Sequence, residues 1–104
     1  MAERDPALTP ADDPPVRHLT ATGFVVWRDA VLLHWHHKQR LWLPPGGHLE
    51  QNEDPVACVL REVEEESAIR AELLGSPPPF PFTYPAQLPP PVTILLENVG
   101  EGAA

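Results

Sequence analysis

The stretch Gly46–Ile69, GGHLEQNEDPVACVLREVEEESAI, decides how the rest of the chain is read. It opens on two glycines, passes through a run of acids and continues as an amphipathic helix. Asp54 precedes Pro55. Proline suits the first helical position, where an N–H would have no partner, and the Asp54 carboxylate can cap the helix start. Val56, Val59, Leu60 and Val63 then fall at i, i+3, i+4 and i+7, one face of a helix. At about 100° per residue, Glu62, Glu65 and Glu66 gather on a neighbouring flank, while Arg61 and Glu64 point elsewhere.

Gathering carboxylates has a cost, since like charges three or four residues apart repel by about 0.2–0.5 kcal/mol per pair. A divalent cation reverses that balance. Hard Mg²⁺ takes oxygen ligands and is commonly held by one or two carboxylates together with substrate phosphates. A solvated acidic face is the plainer alternative for such a run. The upstream pair Gly46–Gly47 favours the metal, because glycine admits backbone angles that other residues resist and lets a carbonyl come close to an ion. Two glycines alone are only a turn signal.

Taken whole, the string resembles the signature of the Nudix hydrolase family, G-x5-E-x7-R-E-U-x-E-E-x-G-U, with U a bulky apolar residue. Gly47 opens it, Glu53 follows after five residues, and Arg61–Glu62 after seven more. Val63 fills the first apolar position, Glu65–Glu66 the paired acids, and Ile69 the last position. Ala68 stands where the family has glycine. Either a left-handed helix end is kept, at a cost of up to about 1 kcal/mol for alanine, or the helix runs on slightly. The departure removes no metal ligand.

The resemblance implies an α/β (α+β) fold, a Nudix-type α/β/α sandwich with a mixed sheet. It also implies a divalent-metal-dependent pyrophosphohydrolase, using Mg²⁺ or Mn²⁺, that cleaves the diphosphate of a nucleoside diphosphate linked to another group. Residue by residue, Glu62 and Glu66 match the metal-binding acids, and Glu65 a further ligand or acid–base position. Glu53 matches an outer acid that helps bind metal or is held by the arginine, here Arg61. The Gly46 carbonyl matches a backbone ligand. Glu62 is the first choice for the base that deprotonates a metal-bound water, with Glu65 the alternative.

Composition sets outer bounds. A chain of 104 residues makes one small domain with a modest core. The formal net charge of −8 argues against a nucleic-acid duplex as partner; an acidic protein handling phosphates needs cations to offset both sets of charge. The single Cys58 excludes an intramolecular disulfide framework and fits a reducing compartment; mid-helix, it reads as a small packing residue. No signal-peptide pattern opens the chain and no apolar run reaches membrane length, so the expectation is cytoplasmic, with no membrane partner.

Residues 1–17 read as a flexible arm rich in Pro, Asp and Ala, and 18–104 as a single domain. Leu19–Trp27 and Ala30–Trp35 read as two strands of a hairpin turning at Arg28–Asp29. The consecutive apolar run Phe24–Trp27 suggests a sheet covered on both faces. Alternation places His34 and His36 on one face and Trp35 and His37 on the other. No third zinc ligand is evident, so the histidines read as a polar strand end. Lys38 and Arg40 in the following loop are candidate phosphate contacts, or merely solvated. Leu41–Leu43 is a brief strand that delivers the chain to the glycines.

After the helix, Ile69–Leu74 reads as a short strand stopped by Gly75, and Val92–Leu96 as another. Between them, Ser76–Pro91 holds eight of the fifteen prolines, with Phe80, Phe82 and Tyr84 interleaved. This reads as an extended surface loop; a ligand for an SH3-type module and an aromatic platform for a substrate base are the alternatives. Nudix domains usually continue past this point into further strands and a closing helix, so the resemblance implies a domain incomplete at its C-terminus. The sheet edge this would expose invites pairing, and a homodimer would cover it. Two other function classes stay open: a non-catalytic Nudix-like binding module, and an acidic partner-binding helix with proline-rich arms.

Overall fold

The helix signalled by Asp54–Pro55 runs over Pro55–Ser67 (α1) in a computed structural model of the chain, which describes residues 16–75 and 77–97. Its start is capped as the sequence implies: Asp54 Oδ1 accepts the Ala57 N–H at 2.8 Å, an arrangement worth about 1 kcal/mol. Its end answers the question posed by Ala68. That residue adopts the left-handed conformation, φ 61° and ψ 14°, and its N–H donates to the Glu64 carbonyl at 2.8 Å. The helix therefore stops where the family's glycine would stop it, and alanine bears the steric cost. Ser67 reinforces the stop, its hydroxyl donating to the Val63 carbonyl at 2.6 Å and accepting the Ile69 N–H at 3.2 Å.

Among the described residues, six short strands precede the helix: β1 (Thr20–Thr22), β2 (Val26–Trp27), β3 (Ala30–Val31), β4 (His34–His36), β5 (Leu41–Leu43) and β6 (Gly46–His48). They pair antiparallel as β1–β6, β2–β3 and β4–β5. The hairpin turning at Arg28–Asp29 is present, with Val26 opposite Val31 and Trp27 opposite Ala30. Its two expected strands are each interrupted, however. Gly23 closes the β1–β6 ladder by donating to the Pro45 carbonyl at 2.9 Å, and the chain then turns into the hairpin, where the Leu32 N–H reaches the Val25 carbonyl at 2.9 Å.

The glycine pair is not a turn. Gly46–His48 is a strand, with Thr22 opposite Gly46, Ala21 opposite Gly47 and Thr20 opposite His48. Space, not backbone angle, demands glycine here. A Cβ on Gly46 would lie 2.4 Å from the Ala21 carbonyl oxygen and 2.9 Å from Thr22 Cα. A Cβ on Gly47 would lie 2.6 Å from the Glu62 carboxyl carbon. β1 and β6 thus pack closely together, and α1 lies across both. Val63 and Cys58 are buried in that contact, with Pro45 beside them; Val59 and Val63 close over Gly23, where a Cβ would meet Val59 Cγ2 at 2.8 Å.

The covered sheet expected at Phe24–Trp27 is not observed among the described residues. Phe24, Val26 and Trp27 are each more than half exposed, because α1 packs chiefly against β1 and β6 and not against the β2–β3 hairpin. Trp35 and Trp42, opposite one another on β4 and β5, instead pack edge to face at 5.6 Å on an open face, a contact worth about 0.5–1.5 kcal/mol beyond area burial. Neither Ile69–Leu74 nor Val92–Leu96 forms a strand. The left-handed Ala68 redirects the first, and neither segment has a ladder partner among the described residues to satisfy its backbone. The proline-rich loop is irregular, as read, but pinned: Gln87 Nε2 donates to the carbonyls of Phe80 (2.9 Å) and Phe82 (2.8 Å), and its Oε1 accepts the Phe80 N–H at 3.1 Å. The Phe80 and Phe82 rings stack beside this clasp. The arm at 1–15 and the tail at 98–104 lie outside the described residues.

Candidate active site

Where β6 meets α1, the acids of the glutamate helix come into contact with the strand backbone. The sequence expectation that Arg61 points away from them is overturned. Arg61 folds back along the helix and forks onto Glu53, Nε to Oε2 at 2.8 Å and one terminal nitrogen to Oε1 at 2.9 Å. The other terminal nitrogen donates to Glu62 Oε1 at 2.9 Å and Glu65 Oε2 at 3.1 Å. The guanidinium also reaches the His48 carbonyl at 3.2 Å and lies 3.6 Å from Glu50. A guanidinium carries five donors in a rigid fork, so it can serve several carboxylates at once.

This geometry separates the acids. The Arg61 fork, aided by the Glu50 N–H at 3.0 Å, holds the Glu53 carboxyl down to about 2. Arg61 is in turn held more firmly protonated, chiefly by Glu53. Glu62 moves the other way. Burial raises its carboxyl above the ordinary value, the Arg61 hydrogen bond opposes that, and the neighbouring Glu66 carboxyl, close enough to hydrogen-bond, raises it further. Glu65 is largely exposed and rests on Arg61. Glu66 is held from the strand side: its Oε1 accepts the Gly46 N–H at 3.0 Å, and its Oε2 lies 2.7 Å from His34 Nε2. Glu62 and Glu66 thus converge, while Glu65, expected on the same flank, turns away toward Arg61.

Gly46 bears on this pair through its backbone. The Gly23 N–H to Pro45 carbonyl and Leu49 N–H to Leu19 carbonyl bonds set the ladder phase. Thr22–Gly46 is therefore a non-hydrogen-bonded pair, and both backbone groups of Gly46 face away from β1. Its N–H meets Glu66 there. Beneath, Cys58 Sγ contacts the Gly47 carbonyl at 3.5 Å; the thiol is fully buried, and burial, with Glu53 adding to it, pushes its pKa up. Cys58 is a packing residue that keeps its proton.

These donors suit a hard cation. Two carboxylates side by side and a carbonyl on the same strand edge are an oxygen set of the kind Mg²⁺ and Mn²⁺ take. Among the described residues no three His, Cys, Asp or Glu side chains form a ready cage. Mg²⁺ does not require one, since it keeps waters and shares its shell with substrate phosphates. Lys38 and Arg40 lie in the exposed turn between β4 and β5, beyond His36 on the strand that carries His34. The apolar groove lined by Val25, Trp27, Val31 and Ile69 shares no residue with the acid cluster and carries no titratable group.

His34 is the site residue that sequence reasoning missed. Its alternation with His36 correctly put both on one face, but nothing in the spacing links position 34 to position 66. That contact exists only because β4 is brought beside α1.

The NUDIX domain family model matches residues 16–99. A protein from Streptomyces ambofaciens described as MutT-like is 41% identical over 64 residues, covering 61% of this chain and 42% of its own length. A solved structure of a hydrolase of the NUDIX family from Clostridium perfringens aligns with a TM-score of 0.55 at 42% identity, covering 60% of this chain and 43% of that one. The chain thus spans less than half the length of either relative. No helix among the described residues is long and apolar enough to cross a membrane. With four-fifths of its length matched by the family model and the α+β arrangement shared with a solved relative, this chain belongs to the NUDIX domain family.

Proposed function

We propose that the chain is a divalent-metal-dependent hydrolase cleaving the diphosphate of a nucleoside diphosphate linked to another group. The observation that carries this reading is the juxtaposition of the Glu62 and Glu66 carboxyls beside the outward-facing backbone of Gly46. Glu62, Glu66 and the Gly46 carbonyl would hold Mg²⁺ or Mn²⁺, with Glu65 available on leaving Arg61. A cation so held would neutralise diphosphate charge and lower the pKa of a bound water. Glu62 is the first candidate to accept the proton of the attacking water, and Glu65 is the other candidate for that role. Glu53 acts through Arg61: its fork fixes the guanidinium at the rim of the acids. Lys38 and Arg40 are proposed phosphate contacts. The substrate is a small nucleotide-type molecule, and the setting is cytoplasmic.

The test is turnover of a panel of nucleoside diphosphate derivatives with Mg²⁺ or Mn²⁺, with Glu62→Gln as control. Metal-dependent release of nucleoside monophosphate, lost in the variant by a factor of about 10²–10⁴, is expected. Folded protein that binds Mn²⁺ but turns over no member of the panel would instead be a non-catalytic binding module.

A further inference from the structure

We infer that His34 is a positioning residue for Glu66, fixing that carboxylate for cation binding; this rests on the metal-dependent reading above. Of the three clustered helix glutamates, Arg61 engages Glu62 and Glu65. Glu66 is instead held by two groups from two different strands: the Gly46 N–H of β6 on Oε1 and His34 Nε2 of β4 on Oε2. An ionised carboxylate only accepts hydrogen bonds, so His34 Nε2 is the donor whether the ring is neutral or charged. At 2.7 Å the contact is at the short end expected of a charge-assisted bond.

The consequence is directional. A glutamate side chain has three rotatable bonds. Tied at both oxygens, Glu66 cannot swing along the helix toward the Arg61 cluster. Each oxygen retains a second lone-pair direction for a cation. Glu66 is thus the acid fixed at both oxygens when an ion arrives, whereas Arg61 holds Glu62 and Glu65 at one oxygen each. Partners outside the ligand shell that hold a ligand's orientation typically contribute 10–100-fold to metal affinity.

The experiment is Mn²⁺ titration of the intact chain, reading free Mn²⁺ by electron paramagnetic resonance, for wild type, His34→Phe, His34→Ala and His34→Gln. Phe keeps the ring's bulk without a donor, Ala removes both, and Gln restores an N–H. Expected are a 10–100-fold rise in Kd for the Phe and Ala variants and substantial recovery for Gln, with melting temperature recorded alongside. Should His34→Phe fail to fold, the Ala and Gln pair decides. Unchanged Kd in the donorless variants overturns the inference and leaves the hydrolase reading intact. Equal weakening in all three variants, tracking lost melting temperature, marks a structural role and also overturns it. A wild-type chain that binds no Mn²⁺ overturns both.

Discussion

Replacing Ala68 by glycine should stabilise the protein, although removing a side chain usually does the reverse. Ala68 closes α1 at φ 61°. With the left-handed conformation now seen, the cost to an L-residue is about 1–2 kcal/mol that glycine does not bear, above the figure of up to about 1 expected from the sequence. Against this, glycine gives the unfolded chain more freedom, a penalty of about 0.4–1 kcal/mol. The balance favours Ala68→Gly by about 0.8 kcal/mol. For a domain of this size that corresponds to a rise of about 3–6 °C in melting temperature. The hydrogen bond from residue 68 to the Glu64 carbonyl is a backbone bond and survives the change. Ala57→Gly is the matched control. Ala57 is exposed in the first turn of the same helix, and its N–H to Asp54 is likewise retained. Its backbone is helical, so glycine there should cost about 0.5–1 kcal/mol and lower the melting temperature. Circular dichroism at 222 nm through thermal unfolding of the three proteins reads both. Opposite signs at the two positions support the cap; a melting temperature for Ala68→Gly at or below wild type would refute the left-handed assignment and the reasoning built on it.

The two strand glycines should fail differently. Gly46→Ala drives a Cβ into the Ala21 backbone and should cost about 1–3 kcal/mol by forcing β1 and β6 apart; Gly47→Ala meets first the Glu62 carboxyl, the far end of a side chain, and should weaken Mn²⁺ binding more than stability, as paired melting and titration curves would reveal. The Glu53 carboxyl, at about 2 when folded against an ordinary 4.5, contributes stability that is complete above about pH 4.5 and is lost as pH falls through 2. The melting temperature of wild type should therefore drop across that window, and that of Glu53→Gln should be lower at neutral pH and flatter in acid. Glu62 has the opposite sign: raised above its ordinary 4.5, it favours the fold below that value and loses the contribution as pH rises through its folded value. Glu62→Gln should accordingly melt higher than wild type at pH 7 without metal while losing hydrolysis, and a lower melting temperature would contradict the raised carboxyl.

What the amino-acid order determined by itself was local. Asp54–Pro55 started the helix, the 3.6-residue period of Val59 and Val63 chose its inner face, and the spacing of Gly47, Glu53, Arg61, Glu62, Glu65 and Glu66 identified the family. These signals act within a few turns of one chain segment, so they can be read without neighbours. The rest depended on what came to lie alongside. Only the pairing of Gly46 with Thr22 showed that the glycines serve close strand packing and not a bend. Only the folded arrangement split the three glutamates, since helical period places side-chain roots on a flank but does not say which tip an arginine will take. His34 and Glu66 stand 32 positions apart in the chain, and no local rule couples them. Val92–Leu96 carries the β-branched Val92, Thr93 and Ile94, and Ile69–Leu74 opens on one more, yet neither forms a strand among the described residues, because a strand exists only where another backbone answers its hydrogen bonds.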